Sequence, residues 1–82
     1  MQIILTYSMV TVYSTPTCPW CKKTKAWLKK NKIKFKDIDI TKNDKARNKM
    51  IDISGQMGVP VVVIKDTIIV GFNEKAMKKA LQ

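Results

Sequence analysis

The stretch Val10-Thr11-Val12-Tyr13-Ser14-Thr15-Pro16-Thr17-Cys18-Pro19-Trp20-Cys21 passes from a β-branched and aromatic run, through turn and cap residues, to a close pair of cysteines. Val10 to Tyr13 read as a strand, and Ser14 to Thr17 as the loop that ends it. Pro19 suits the first turn of a helix, where its missing N–H has no partner to lose. From Pro19 to Asn31 the stripe Cys21, Thr24, Leu28, flanked by Trp27, has helical spacing, and lysines fill most of the remainder. A strand thus feeds a loop that opens a helix at Cys18.

That placement gives the two cysteines unequal chemistry. Unpaired backbone N–H groups and the positive end of the helix dipole converge on Cys18. Lys22, four residues on, and Lys23 add positive potential, so a thiolate is favoured there. Cys21 points one turn later along the apolar stripe, where desolvation keeps a thiol neutral. Cys18 is the expected nucleophile, Cys21 the resolving thiol and Lys22 the thiolate-stabilising cation. Two inert core cysteines have no reason to flank a proline at a helix start. Tetrahedral zinc needs four ligands, more than two cysteines and no histidine supply, so no metal site is expected.

Beyond this unit, Ile33 to Ile40 reads as a second strand, and its change of phase between Phe35 and Ile38 allows a bulge or a frayed start. Thr41, Asn43 and Asp44 offer caps to a second helix with the stripe Ala46, Met50, Ile53 and a terminating Gly55. After Gly55-Gln56-Met57-Gly58, the runs Val61 to Ile64 and Thr67 to Val70 form a hairpin around Lys65-Asp66, a poor turn pair. Gly71 breaks the strand, Asn73 caps, and Ala76, Met77, Ala80 and Leu81 line a last helix. The order is βαβαββα. A β-α-β unit demands parallel neighbours and a two-residue hairpin antiparallel ones. The fold class is therefore α/β, a four-stranded mixed sheet flanked by three helices on both faces.

With 82 residues the chain has room for one core. Residues 9–82 are expected to form the domain, and residues 1–8 an N-terminal extension or a segment pairing with the sheet edge. The longest apolar run, Val59 to Ile64, is far short of the ~20 residues that span a bilayer, and the first residues lack the marks of a secretory signal. Cysteines this close cannot staple a secreted fold. A cytoplasmic protein with no membrane partner is expected. The net charge of +10, from fifteen lysines and one arginine, is spread along the chain. Specific readers of nucleic acid rely on arginine and stacked aromatics, so the charge reads as solvated faces and no specific nucleic-acid partner is expected.

Tyr13 to Cys21, Gly58-Val59-Pro60 and Val70-Gly71-Phe72 together resemble a dithiol glutaredoxin of the thioredoxin superfamily, over residues 9–82. The resemblance implies a thioredoxin-like fold and a thiol–disulfide oxidoreductase acting on protein or small-molecule disulfides. It implies a cis bond before Pro60, placed beside the cysteines, with the Val59 N–H and C=O pairing with a peptide-like substrate. Substrate- or glutathione-binding positions then fall on Thr15, Pro16, Trp20, Val59, Pro60, Gly71, Phe72 and Asn73. Trp20 reads equally as apolar contact surface around the disulfide or as plain core, and Trp27 as packing.

Many glutathione-using members carry a lysine before the first cysteine, a Thr-Val-Pro and a Gly-Gly pair. Here stand Thr15-Pro16-Thr17, Gly58-Val59-Pro60 and Gly71-Phe72-Asn73. These departures resemble the glutaredoxin-like carriers reduced by a flavoprotein disulfide reductase, which serve ribonucleotide reductase or small peroxidase chains. No tightly bound cofactor is implied; glutathione is the candidate co-substrate and alternative electron donor, and a monomer is expected. A different reading is a basic binding module for an acidic partner, RNA or an iron–sulfur cluster shared between two chains.

Overall fold

The computed structural model describes residues 10–81, so the expected extension at residues 1–8 lies outside the described residues. The elements are β1 (Val10–Ser14), α1 (Pro19–Lys30), β2 (Lys36–Asp39), α2 (Asp44–Ser54), β3 (Val61–Ile64), β4 (Thr67–Val70) and α3 (Glu74–Leu81). They form one sheet in the order β2-β1-β3-β4. β1 pairs parallel with β2 and antiparallel with β3, and β3 pairs antiparallel with β4. This is the thioredoxin-like arrangement expected.

Alternation along β1 and β3 divides the core between two faces. Val10, Val12, Val62, Ile64 and Ile69 pack with Leu28 of α1 and Met77 of α3. On the opposite face Tyr13, Ile40 and Val61 pack with Met50 of α2. β1 is thus central and covered on both sides, and its carboxyl end delivers the chain to Cys18. Trp27 is partly buried against the first cluster, and its indole N–H donates to Glu74 Oε1 at 2.9 Å, tying α1 to α3.

The second strand is shorter than its apolar pattern suggests, because Ile33 belongs to the end of α1. Asn31 is the C-cap. Lys32 then turns left-handed (φ +59°), its N–H donates to the Lys29 carbonyl at 3.0 Å, and the Ile33 N–H donates to the Leu28 carbonyl at 2.9 Å. This pair of bonds is a Schellman closure, and the buried Ile33 supplies its apolar contact with Leu28. Pairing begins only at Lys36, opposite Thr11. Asn43, rather than Thr41, caps α2, accepting the Ala46 N–H at 3.0 Å. Thr41 instead donates its N–H and hydroxyl to Asp39 Oδ1. In the β3–β4 turn Lys65 takes a positive φ of +54°, the conformation that makes Lys-Asp a poor turn pair.

The left-handed conformation at Lys32 disfavours any residue with a Cβ by roughly 1–2 kcal/mol. Lys32→Gly therefore raises stability by about 0.5–1 kcal/mol after the extra backbone entropy of glycine is set against the relief. Urea unfolding would show a higher midpoint at unchanged slope. A neutral or lower midpoint would contradict this assignment of the helix end.

Candidate functional site

At the end of β1, residues 15–17 turn the chain so that the Cys18 N–H reaches the Thr15 carbonyl at 3.4 Å. Cys18 is extended (φ −86°, ψ 114°) and is the N-cap of α1, with Pro19 in the first turn. Its Sγ accepts the Cys21 N–H at 3.1 Å, the position a serine or aspartate oxygen takes in most caps. The buried Thr24 returns its hydroxyl to the Trp20 carbonyl at 2.9 Å, so its polar group enters the core satisfied.

The two sulfurs meet different surroundings. Both are free thiols; Cys18 is partly exposed and Cys21 is 0% exposed. Burial pushes the Cys21 thiol up to about 11, and the hydrogen bond and charge of Cys18 act in the same direction. The Thr15 backbone and the Lys25 ammonium oppose that rise.

Across from α1, the Val59–Pro60 peptide is cis and the Val59 carbonyl lies 3.9 Å from Cys18 Sγ. Among the described residues the Val59 N–H has no backbone partner. The Pro60 carbonyl accepts the Gly71 N–H at 2.8 Å, which joins the loop before β3 to the turn after β4. Gly71 has φ +83°, a value a side chain disfavours, and it brings Phe72 toward Trp20. The two rings stack with centroids 6.3 Å apart and an interplanar angle of 24°. Lys23 Nζ sits 4.9 Å from the centroid of the Trp20 ring, which is 54% exposed. Trp20, Val59, Pro60, Gly71 and Phe72 line a groove of about 230 Å³ beside the thiols.

Of the residues singled out from sequence, Cys18, Trp20, Val59, Pro60, Gly71 and Phe72 are brought together. Thr15 contributes through its backbone, and Pro16 is exposed at the loop tip. Asn73 caps α3 as expected, its Oδ1 accepting the Ala76 N–H at 3.0 Å. Lys22 is exposed and lines a different groove, with Lys25 and Lys29. The cation that bears on Cys21 is Lys25, which sequence reasoning missed. Its Nζ lies 3.0 Å from Asp37 Oδ2 and 3.4 Å from Ser14 Oγ, and the Ser14 hydroxyl donates to Asp37 Oδ1 at 2.8 Å. The available signal was Lys25 at Cys21+4, one helical turn along the same face.

A family model described as glutaredoxin matches residues 10–69. A glutaredoxin-like 8.6 kDa protein in the rubredoxin operon of Clostridium pasteurianum is 49% identical over 74 residues, covering 90% of this chain and 99% of that one. The glutaredoxin-like protein NrdH of Lactococcus lactis subsp. cremoris is 35% identical over 71 residues, covering 87% and 97%. Among solved structures, a glutaredoxin from Archaeoglobus fulgidus superposes with a TM-score of 0.83 at 34% identity, covering 99% and 97%.

Iodoacetamide at pH 8 should label Cys18 alone, with Cys21 reacting only in denaturant or as the pH nears 11. Because the folded thiol is raised from its ordinary 9.0, the stability due to neutral Cys21 is complete below pH 9 and is lost as the pH rises toward 11. Lys25→Met removes a downward influence and moves the Cys21 titration higher still. Equal labelling of both cysteines at pH 8 in the folded protein would contradict the buried placement of Cys21.

Proposed function

The chain belongs to the glutaredoxin family and is a thiol–disulfide oxidoreductase, and from that premise we propose that it is a cytosolic two-electron carrier reduced by a flavoprotein disulfide reductase. The observation that carries the reading is the position of Cys18 Sγ, with the Cys21 N–H at 3.1 Å, the Val59 carbonyl at 3.9 Å and an uncharged groove alongside.

In the first step the Cys18 thiolate attacks one sulfur of a substrate disulfide. A Cys18–substrate disulfide forms and the other substrate sulfur leaves as a thiolate, which takes up a proton. Cys21 then loses its proton and attacks Cys18 Sγ. The Cys18–Cys21 bond forms, the second substrate thiol leaves, and the substrate has gained two electrons and two protons. The environment of Cys21 supports this order. Before reaction, the charge and hydrogen bond of Cys18 help keep Cys21 protonated. Once Cys18 is a neutral mixed disulfide its charge is gone, while Lys25 still favours the Cys21 thiolate. Burial, the largest influence that keeps Cys21 protonated, persists, and the step that precedes resolution relieves the part that Cys18 adds to it.

An extended peptide segment of the substrate fits antiparallel against Val59, using its N–H and C=O, with an apolar side chain on the Trp20–Phe72 platform. Five uncharged residues line that groove, and at its edge Asn73 uses only its Oδ1 in the α3 cap. Glutathione, with two carboxylates, finds no cation among those lining residues and one ammonium, Lys23, engaged on the Trp20 ring at their edge, which supports a flavoprotein as electron donor. Ribonucleotide reductase or a peroxidase are the candidate acceptors.

Cys18→Ser should abolish reduction of an insulin disulfide. Cys21→Ser should retain the first step and accumulate a covalent adduct, visible by mass spectrometry without reductant and released by dithiothreitol. Substantial turnover by Cys18→Ser would reject the assignment of roles.

A further inference from the structure

Lys22, Lys25 and Lys29 recur at i, i+3 and i+7 of α1 and so share one helix face. With Lys34, Ile33 and Phe35 they line a groove of about 810 Å³ between α1 and the approach to β2. One carboxylate, Asp37, lies in it, and Asp37 is already held by Lys25 and Ser14. Lys22, Lys29 and Lys34 form no ion pair among the described residues. Lys22 directly follows Cys21, so one end of the lysine row begins at the reactive pair. The row then runs about 10 Å away from it, seven residues at 1.5 Å each.

We propose that this groove docks an acidic segment of the protein disulfide substrate, with carboxylates along the lysine row and an apolar side chain against Ile33 and Phe35. The inference rests on the oxidoreductase reading above and adds what selects its substrates. Three unpaired ammonium groups around one groove repel one another, and an anionic occupant removes that repulsion at the point of docking. A second copy of the chain is disfavoured, because each carries +10. Nucleic acid fits less well: the single arginine, Arg47, lies on α2, and Phe35 packs against the core rather than presenting a face for stacking.

The test uses two synthetic disulfide-linked peptide dimers, one with glutamates and a leucine after the cysteine, the other with glutamines in place of the glutamates. Hydroxyethyl disulfide is the small uncharged control. The reduced protein should react with the acidic peptide about ten-fold faster at about 20 mM salt, and the advantage should collapse at about 0.5 M. Lys29→Glu with Lys34→Glu should remove most of the advantage. Lys45→Glu with Lys49→Glu on α2, an equal change of charge, should keep most of it. Hydroxyethyl disulfide should react equally with all three proteins. An equal loss in both double variants would assign the preference to bulk charge and overturn the docking groove, as would displacement of the acidic peptide by oligothymidylate but not by oligoglutamate. Failure of the unaltered protein to reduce hydroxyethyl disulfide would reject the oxidoreductase reading instead.

Discussion

The hydrogen bond from the Cys21 N–H to Cys18 Sγ binds structure to chemistry in this protein. A helix start leaves four N–H groups without intrahelical partners, and here one of them is satisfied by the sulfur proposed as the nucleophile. Capping by that sulfur fixes where it sits. It also places a developing negative charge at the positive end of α1. The rest of the fold holds this junction still: β1 lies in the middle of the sheet, Leu28 anchors α1 over it, and Trp27 joins α1 to Glu74. Removing a buried Leu28 side chain would cost about 2–5 kcal/mol and loosen the site along with the core.

Around that junction the molecule sets up two asymmetries. One is between the sulfurs, with Cys18 partly open to solvent and Cys21 closed within the core side of the helix. The other is between the two flanks of α1. Toward Val59, Pro60 and Phe72 the groove is lined by uncharged and aromatic residues, with Lys23 over the Trp20 ring at its edge. Toward β2 it is a row of lysines with a partly apolar floor. In the proposed scheme the first flank offers a substrate mainly backbone pairing and apolar contact, whereas the second discriminates by charge. A disulfide approaching Cys18 is met by both.

The unit from β1 to α1 was legible because its signals are local: β-branched residues, a cluster of turn residues, and a proline beside a cap position. The hairpin was legible for the same reason. Ile33 was not, since an apolar residue before Phe35 reads as a strand unless one knows that Lys32 turns left-handed, and lysine gives no sign of that. Lys25 was hidden differently. Its partner Asp37 is twelve residues away, and only the β1–β2 register, which sets Asp37 beside Val12, brings it onto the α1 face. Lys22 was assigned to the thiolate by its distance along the chain from Cys18, and the fold sets its side chain in the groove on the β2 flank of α1, with Lys25 and Lys29. Local chemistry was readable; contacts created by strand register and helix rotation were not.

The central claim is that the Cys18–Cys21 pair carries electrons to disulfides from a flavoprotein rather than from glutathione. The most direct measurement is turnover of an insulin disulfide with NADPH and a flavoprotein disulfide reductase, beside the same reaction driven by reduced glutathione and glutathione reductase. The account predicts sustained turnover in the first and little in the second. Turnover with glutathione alone would contradict it.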